Sequence, residues 1–204
     1  GSSVDYEKLV VPWIEKFIRV PDEFRDEMEG VLRGVKEMDP SGGFIPELGR
    51  KIEYEDVLAL NSYIEASWPV KHRNGDQQCT QFVFWGKWTK DGCPIAGRNM
   101  DAEVDIRRTT VSSLFVHAME ASKTGQRRIA SVMWPGFVGT LSAVDEDGNY
   151  VMENAGRLTK NFTSVEGEVP SEWLIAQVLR EMPQKAFDDP GAAEKWILGE
   201  FAGP

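Results

Sequence analysis

The hydrophobic pattern of this chain changes period near residue 70, from the spacing of amphipathic helices to that of β-strands. Before that point, apolar residues recur at the three- and four-residue intervals of one helix face: Phe24, Met28, Val31, Leu32 and Val35. Asp22 is predicted to cap this helix, and the stretch Asp39-Pro40-Ser41-Gly42-Gly43 to end it. A second helix is predicted over Tyr54–Ala66, with its end fixed by the proline at position 69.

After residue 79 the chain is rich in aromatic and β-branched residues separated by turn signals, which is typical of antiparallel strands. The pair Asp91-Gly92 predicts a hairpin. We expect strands at Cys79–Trp88, Pro94–Asp101, Val111–Met119, Arg128–Trp134, Phe137–Val144 and Tyr150–Asn154. Two helices follow, one with an apolar stripe over 174–182 and one opened by Asp189-Pro190. This order predicts an α+β fold with antiparallel sheets.

Charge and composition exclude several kinds of function. The net charge is −10, and residues 1–78 carry 10 basic and 16 acidic side chains, against 13 and 17 in residues 79–204. Neither half has the basic patch that nucleic acid binding requires. The apolar runs are shorter than the roughly 18–20 residues of a membrane span. Two cysteines exclude a disulfide scaffold and argue against a zinc site, and we expect no cofactor. Residues 1–3 resemble a tag remnant, so the cellular compartment stays open.

Five motifs resemble those of one enzyme family, in a resemblance that covers roughly residues 24–200. They are Gly30-Val31-Leu32-Arg33-Gly34, Glu55-Asp56-Val57-Leu58-Ala59-Leu60-Asn61, Cys79-Thr80-Gln81-Phe82, Gly97-Arg98-Asn99-Met100-Asp101 and Trp134-Pro135-Gly136-Phe137-Val138-Gly139. They are similar to motifs of the self-processing N-terminal-nucleophile hydrolases related to isopenicillin N acyltransferase. Acid ceramidase and penicillin V acylase are more distant relatives.

The resemblance implies an αββα sandwich of antiparallel sheets, preceded by a helical pro-segment at residues 1–78. Residues 79–204 would be the nucleophile-bearing portion, after cleavage between Gln78 and Cys79. Relatives continue beyond the equivalent of Pro204, so the sandwich is expected to be incomplete in this chain. A C-terminal partner chain or a second copy would then supply the missing part.

The residue types suit this chemistry. A thiol that follows a scissile peptide bond can attack the preceding carbonyl, and cleavage frees an α-amine with a pKa of roughly 8 that can act as general base. A hairpin brings Arg98 and Asp101 back beside Cys79. The resemblance implies that Arg98 lies beside the thiol, Asp101 orients the amine and Asn154 lines the oxyanion hole. The expected substrate is a small-molecule amide or acyl compound.

Other interpretations of the same residues remain open. Cys79 could be a buried strand cysteine, Arg98 and Asp101 an ion pair at a strand end, and Asn154 a polar turn residue. His117 lies in an apolar strand and is expected to be a core histidine rather than the partner of Cys79. At the level of function, the alternatives are a non-catalytic relative that acts by pairing with a partner and a phospholipase-B-like hydrolase.

Overall fold

The computed structural model of the protein describes residues 5–66, 79–100, 111–154 and 166–201. The N-terminal part is mostly helical: a π-helical turn (Tyr6–Val10) leads into helix α1 (Val11–Phe17), and helices α2 (Asp22–Met38) and α3 (Tyr54–Asn61) follow. A two-stranded hairpin of β1 (Phe44–Ile45) and β2 (Arg50–Lys51) separates α2 from α3. A further helical turn covers residues 63–66.

The rest of the described chain contains two antiparallel sheets and three helices. The first sheet is a hairpin of β3 (Thr80–Gly86) and β4 (Gly92–Asn99). The second has the order β5-β6-β7-β8, formed by Phe115–Met119, Ile129–Met133, Ser142–Asp145 and Tyr150–Met152. The helices are α4 (Ser171–Glu181), α5 (Gln184–Phe187) and α6 (Pro190–Phe201). The predicted α+β class with antiparallel sheets is therefore confirmed.

The two N-terminal helices form where the apolar spacing predicts them, with differences at their ends. Helix α2 buries Phe24 and Met28, but its N-cap is Pro21, so the prediction of Asp22 as the cap was wrong. Asp22 is instead the first helical residue, where its negative charge interacts favourably with the helix dipole. The second helix is interrupted at Ser62, whose hydroxyl donates to the Leu58 carbonyl at 2.7 Å; such bonds often bend helices.

Strand β7 begins later than predicted because the residues before it make their hydrogen bonds to helices. The Val138 amide donates to Asn61 Oδ1 at 2.8 Å, and the Thr140 amide to the Glu172 carbonyl at 3.0 Å. These amides are therefore not available to a sheet. The predicted strand over 111–119 is also shorter, since 111–113 form a turn and β5 starts at Phe115.

One hydrophobic core joins the N-terminal helices to the four-stranded sheet. Phe24 of α2 stacks on Trp173 of α4, with 5.3 Å between the ring centroids, and both side chains are fully buried. The sheet contributes alternate residues to this core, which include Ile129 and Ala143. The residues before Cys79 thus complete the core of the residues that follow it.

The opposite face of the four-stranded sheet exposes apolar side chains, and so do both faces of the β3–β4 hairpin away from its Cys79 end. Val116 and Val132, directly opposite each other on β5 and β6, are 70% and 50% exposed. The hairpin exposes Phe84, Trp85 and Ile95. Contiguous apolar surface of this kind usually marks an interaction site. Among the described residues, no helix has the length and hydropathy that crossing a membrane requires.

Gly139 is required by the close approach of the loop before β7 to helix α4. A Cβ atom at this position would lie 2.8 Å from the backbone carbon of Glu172, which cannot move aside as a flexible side chain could. We expect Gly139→Ala to lower the free energy of unfolding by about 1–3 kcal/mol, the usual cost of overpacking. Urea denaturation measures the difference.

The matched control is Gly34→Ala in helix α2, where an added Cβ atom meets nothing within 4 Å. Alanine there should stabilise the protein by up to about 1 kcal/mol, through its higher helix propensity. Equal effects of the two substitutions would contradict the packing argument.

Candidate active site

The register of the β3–β4 hairpin places Arg98 beside Cys79. Gln81 pairs with Arg98, and Thr80, the residue after Cys79, pairs with Asn99. Arg98 Nη2 lies 3.4 Å from Cys79 Sγ, within hydrogen-bonding distance for a sulfur acceptor. The hairpin thus brings together two of the four side chains that the sequence assigns to catalysis.

The Arg98 guanidinium is held from several directions. Its Nη1 donates to Ser142 Oγ at 3.1 Å and to the Leu141 carbonyl at 3.4 Å, and its Nη2 lies 3.8 Å from Glu153 Oε2. The Arg98 side chain is only 8% exposed. It is therefore a fixed positive charge beside the Cys79 sulfur.

Glu153 belongs to this site, although the sequence interpretation missed it. It follows strand β8 and is mostly buried opposite Arg98. Burial raises the pKa of the Glu153 carboxyl; the charge of Arg98 opposes that shift, and repulsion from Glu65 adds to it. The sequence signal was an acidic residue directly before the singled-out Asn154, at the end of a predicted strand.

The other predicted site residues are placed as follows. Asn154 is exposed, next to Glu153 at the end of the described segment 111–154. Its assignment to the oxyanion hole stays a prediction, and so does the task of Asp101. Asp101 and Gln78 lie outside the described residues.

Helix α3 holds the loop that carries the motif Trp134–Gly139. Asn61 is fully buried, and its Nδ2 donates to the carbonyls of Val57 and Gly136, at 3.0 and 2.9 Å. Its Oδ1 accepts from the Val138 amide. This loop leads into Leu141 and Ser142, which bind Arg98. The Asn61 amide therefore links the predicted pro-segment to the candidate site.

The environments of the cysteines and of His117 bear on the alternative interpretations. Cys79 is half-buried and Cys93 is exposed, beside the hairpin turn. His117 lies opposite Ser131 on the four-stranded sheet, and burial, with a smaller contribution from Arg180, lowers its pKa. A partly accessible thiol next to a positively charged group is typical of reactive cysteines. A cysteine packed in a hydrophobic core would have neither property.

A second group of carboxyls lies behind Glu153, where residues 63–66 meet the start of helix α4. Glu65 accepts hydrogen bonds from the amide and the hydroxyl of Ser171, at 2.9 and 3.0 Å. Glu172 is 1% exposed. Burial raises the pKa of Glu172 well above its ordinary value, and repulsion from Glu65 and Glu153 adds to the shift. Burial also raises the pKa of Glu65.

These carboxyls predict an unusual dependence of stability on pH. Because their pKa values are higher in the folded state, the folded protein binds more protons, and its stability falls as the pH rises. We expect the free energy of unfolding to increase as the pH is lowered from 8 towards 5. Glu172→Gln should stabilise the protein at pH 8, by about 1–3 kcal/mol, because it removes a buried carboxylate whose hydrogen bonds are incomplete.

The rise should end below about pH 4.5, where carboxyls of lowered pKa such as Glu23 and Asp56 take up protons. Urea denaturation across this pH range checks the prediction. A free energy of unfolding that rises steadily from pH 5 to pH 8 would contradict it.

Among the described residues, no cluster of histidine, cysteine or carboxylate side chains has the arrangement of a metal site. No protein-family model matches the chain. An uncharacterised protein of Archaeoglobus fulgidus is 27% identical over 152 residues, an alignment that covers 69% of this chain and 22% of that protein. The chain thus spans about a fifth of the length of this relative.

Proposed function

We propose that this chain carries the nucleophile of a self-cleaving cysteine amidohydrolase or acyltransferase, of the N-terminal-nucleophile type. The observation that carries the proposal is the 3.4 Å contact between Cys79 Sγ and the buried Arg98 guanidinium, at the start of a sheet strand. The resemblance of the motifs around these residues gives it independent support.

In the proposed first step, Cys79 Sγ attacks the carbonyl carbon of Gln78. The bond between this carbon and the Cys79 nitrogen breaks, the nitrogen takes up the proton that the thiol gives up, and a thioester forms. Water then hydrolyses the thioester, which leaves a carboxylate on Gln78, a free thiol and the new α-amine of Cys79. Arg98 stabilises the negative charge on sulfur before the attack.

The same groups would act on a substrate amide. The α-amine of Cys79 accepts the thiol proton and gives it to the leaving amine, while the acyl group moves to sulfur. Water, or a second amine, then takes the acyl group and restores the thiol. Asp101 is assigned the orientation of the α-amine, and Asn154 a hydrogen bond to the oxyanion.

Acyl trapping tests this function. The protein is incubated with an N-acyl amino acid or a penicillin-type amide, quenched in acid and mapped by peptide mass spectrometry. We expect an acyl group on the Cys79 peptide in wild type and in Cys93→Ala. An acyl group on Cys93 would contradict the proposal. So would the absence of any acylated peptide with every amide tested, in protein whose chain has been cleaved so that Cys79 is N-terminal.

A second candidate function, binding of a partner chain or a second copy, is favoured by the exposed apolar surface. In the proposed αββα sandwich, a further sheet would cover the face that carries Val116 and Val132, together with the β3–β4 hairpin. Light scattering after size-exclusion chromatography distinguishes the two functions. A monomer that hydrolyses amides would exclude obligatory pairing, whereas an inactive dimer would favour the binding function.

A further inference from the structure

Four glutamates lie close together where residues 63–66 meet the start of helix α4. Glu65 comes from residues 63–66, Glu153 follows β8, Glu168 precedes α4 and Glu172 is its second residue. Glu65 repels each of the other three, and Glu153 also repels Glu172. Within the described ranges, the positive charge that lies against this cluster is that of Arg98, 3.8 Å from Glu153. Fully ionised, the cluster would carry more negative charge than Arg98 balances.

Proton counting at Ser171 shows why the cluster favours bound protons. The Ser171 hydroxyl lies 3.0 Å from Glu65 Oε1 and 3.5 Å from Glu172 Oε2. A hydroxyl has one proton, so it can donate to only one of the two carboxylates. The other carboxyl can bond to Ser171 Oγ only if it carries a proton of its own and donates it.

Two carboxyl oxygens of the cluster point to the same conclusion. In the part of the chain that the structure describes, Glu65 Oε2 and Glu172 Oε1 are buried and have no hydrogen-bond partner. Burying an ionised carboxylate with an oxygen that has no hydrogen-bond partner costs free energy, whereas a protonated carboxyl carries no charge. Contact between residues 63–66 and the start of helix α4 is therefore most favourable when carboxyls of the cluster are protonated.

We propose that this glutamate cluster is a proton-operated clamp, which holds residues 63–66 on the start of helix α4 in mild acid and loosens them as the pH rises towards 8. Loosening separates Glu65 from the Ser171 amide and lets water reach both carboxylates. Glu65 precedes Cys79 by 14 residues, so the clamp acts close in sequence to the candidate nucleophile.

Hydrogen exchange tests the clamp on the full chain carrying Cys79→Ala, so that the result does not depend on self-cleavage. The reporters are the Ser171 amide, bonded to Glu65, and the Ala66 amide, bonded to the Ser62 carbonyl. Protection is expressed relative to an unstructured peptide at the same pH. We expect it to fall about tenfold or more between pH 5 and pH 8; tenfold corresponds to a pKa change of one.

Matched substitutions identify the groups responsible. Glu172→Gln removes the charge and keeps the shape, so the reporter amides should stay protected up to pH 8. Glu37→Gln, at an exposed position of α2, should leave the pH dependence unchanged. A wild-type change below about twofold, or an equal change in Glu172→Gln, would overturn the clamp.

A direct titration keeps the proposal testable if Glu172→Gln does not fold. In carbon-detected NMR of the otherwise unchanged chain, the Glu172 carboxyl should remain protonated well above the range in which exposed glutamates ionise. Ionisation of Glu172 together with the exposed glutamates would overturn the clamp on its own.

Discussion

Replacing Cys79 with alanine is expected to abolish amide turnover, to the rate of the reaction in buffer alone, and to leave the protein folded. The substitution removes the only group that can form the proposed thioester, so no partial activity should remain. Because Cys79 is only half-buried, the free energy of unfolding should change by less than about 1 kcal/mol. Amide hydrolysis and urea denaturation measure the two quantities.

Cys93→Ala is the matched control for this prediction, since Cys93 is the other cysteine and is exposed. It should retain the wild-type rate. Turnover that survives in Cys79→Ala, or is lost in Cys93→Ala, would place the nucleophile elsewhere.

Arg98→Ala should slow acylation of Cys79 by roughly two to three orders of magnitude, an effect comparable to the loss of one preorganised charge-stabilising group. It should also lower the free energy of unfolding by about 3 kcal/mol, because Glu153 would lose its buried partner. The rate is followed with a thiol reagent and with an acyl substrate, and stability by denaturation in urea.

Two further variants separate catalysis from folding. Arg98→Lys keeps the charge but not the fork, in which Nη1 bonds Ser142 and Leu141 while Nη2 contacts Cys79. It should therefore recover part of the rate. Arg128→Ala removes an exposed arginine whose partner is Glu146 and should leave the rate unchanged. A Cys79 reaction rate that is the same in Arg98→Ala and wild type would contradict the role of Arg98.

Local sequence patterns were sufficient to predict the α+β class and several of its elements, but not α1, the β1–β2 hairpin or α5. Apolar spacing predicted the two long N-terminal helices, and Asp91-Gly92 predicted the hairpin that aligns Arg98 with Cys79. Asp189 accepts amide hydrogen bonds from Gly191 and Ala192 at the start of α6, as its place before Pro190 predicts. These features depend on residues close together in the sequence.

The predictions were wrong where contacts between distant parts of the sequence determine the local structure or the burial of a side chain. The residues before β7 were predicted to belong to a strand, but Asn61 and helix α4 bind their amides. Glu65 and Glu172 look like surface residues in the sequence, and only the packing of α4 on the N-terminal segment buries them. Contacts across more than a hundred residues leave no local pattern, so the carboxyl cluster could not be predicted.

The bond between Gln78 and Cys79 offers the most direct test of the central claim, that Cys79 cuts its own chain. Purified full-length protein is incubated between pH 5 and pH 8, then analysed by intact mass and N-terminal sequencing. The account predicts that the 204 residues separate into chains of 78 and 126 residues, the second beginning with Cys79. A single uncut chain under every condition, equal to that of Cys79→Ala, would contradict it.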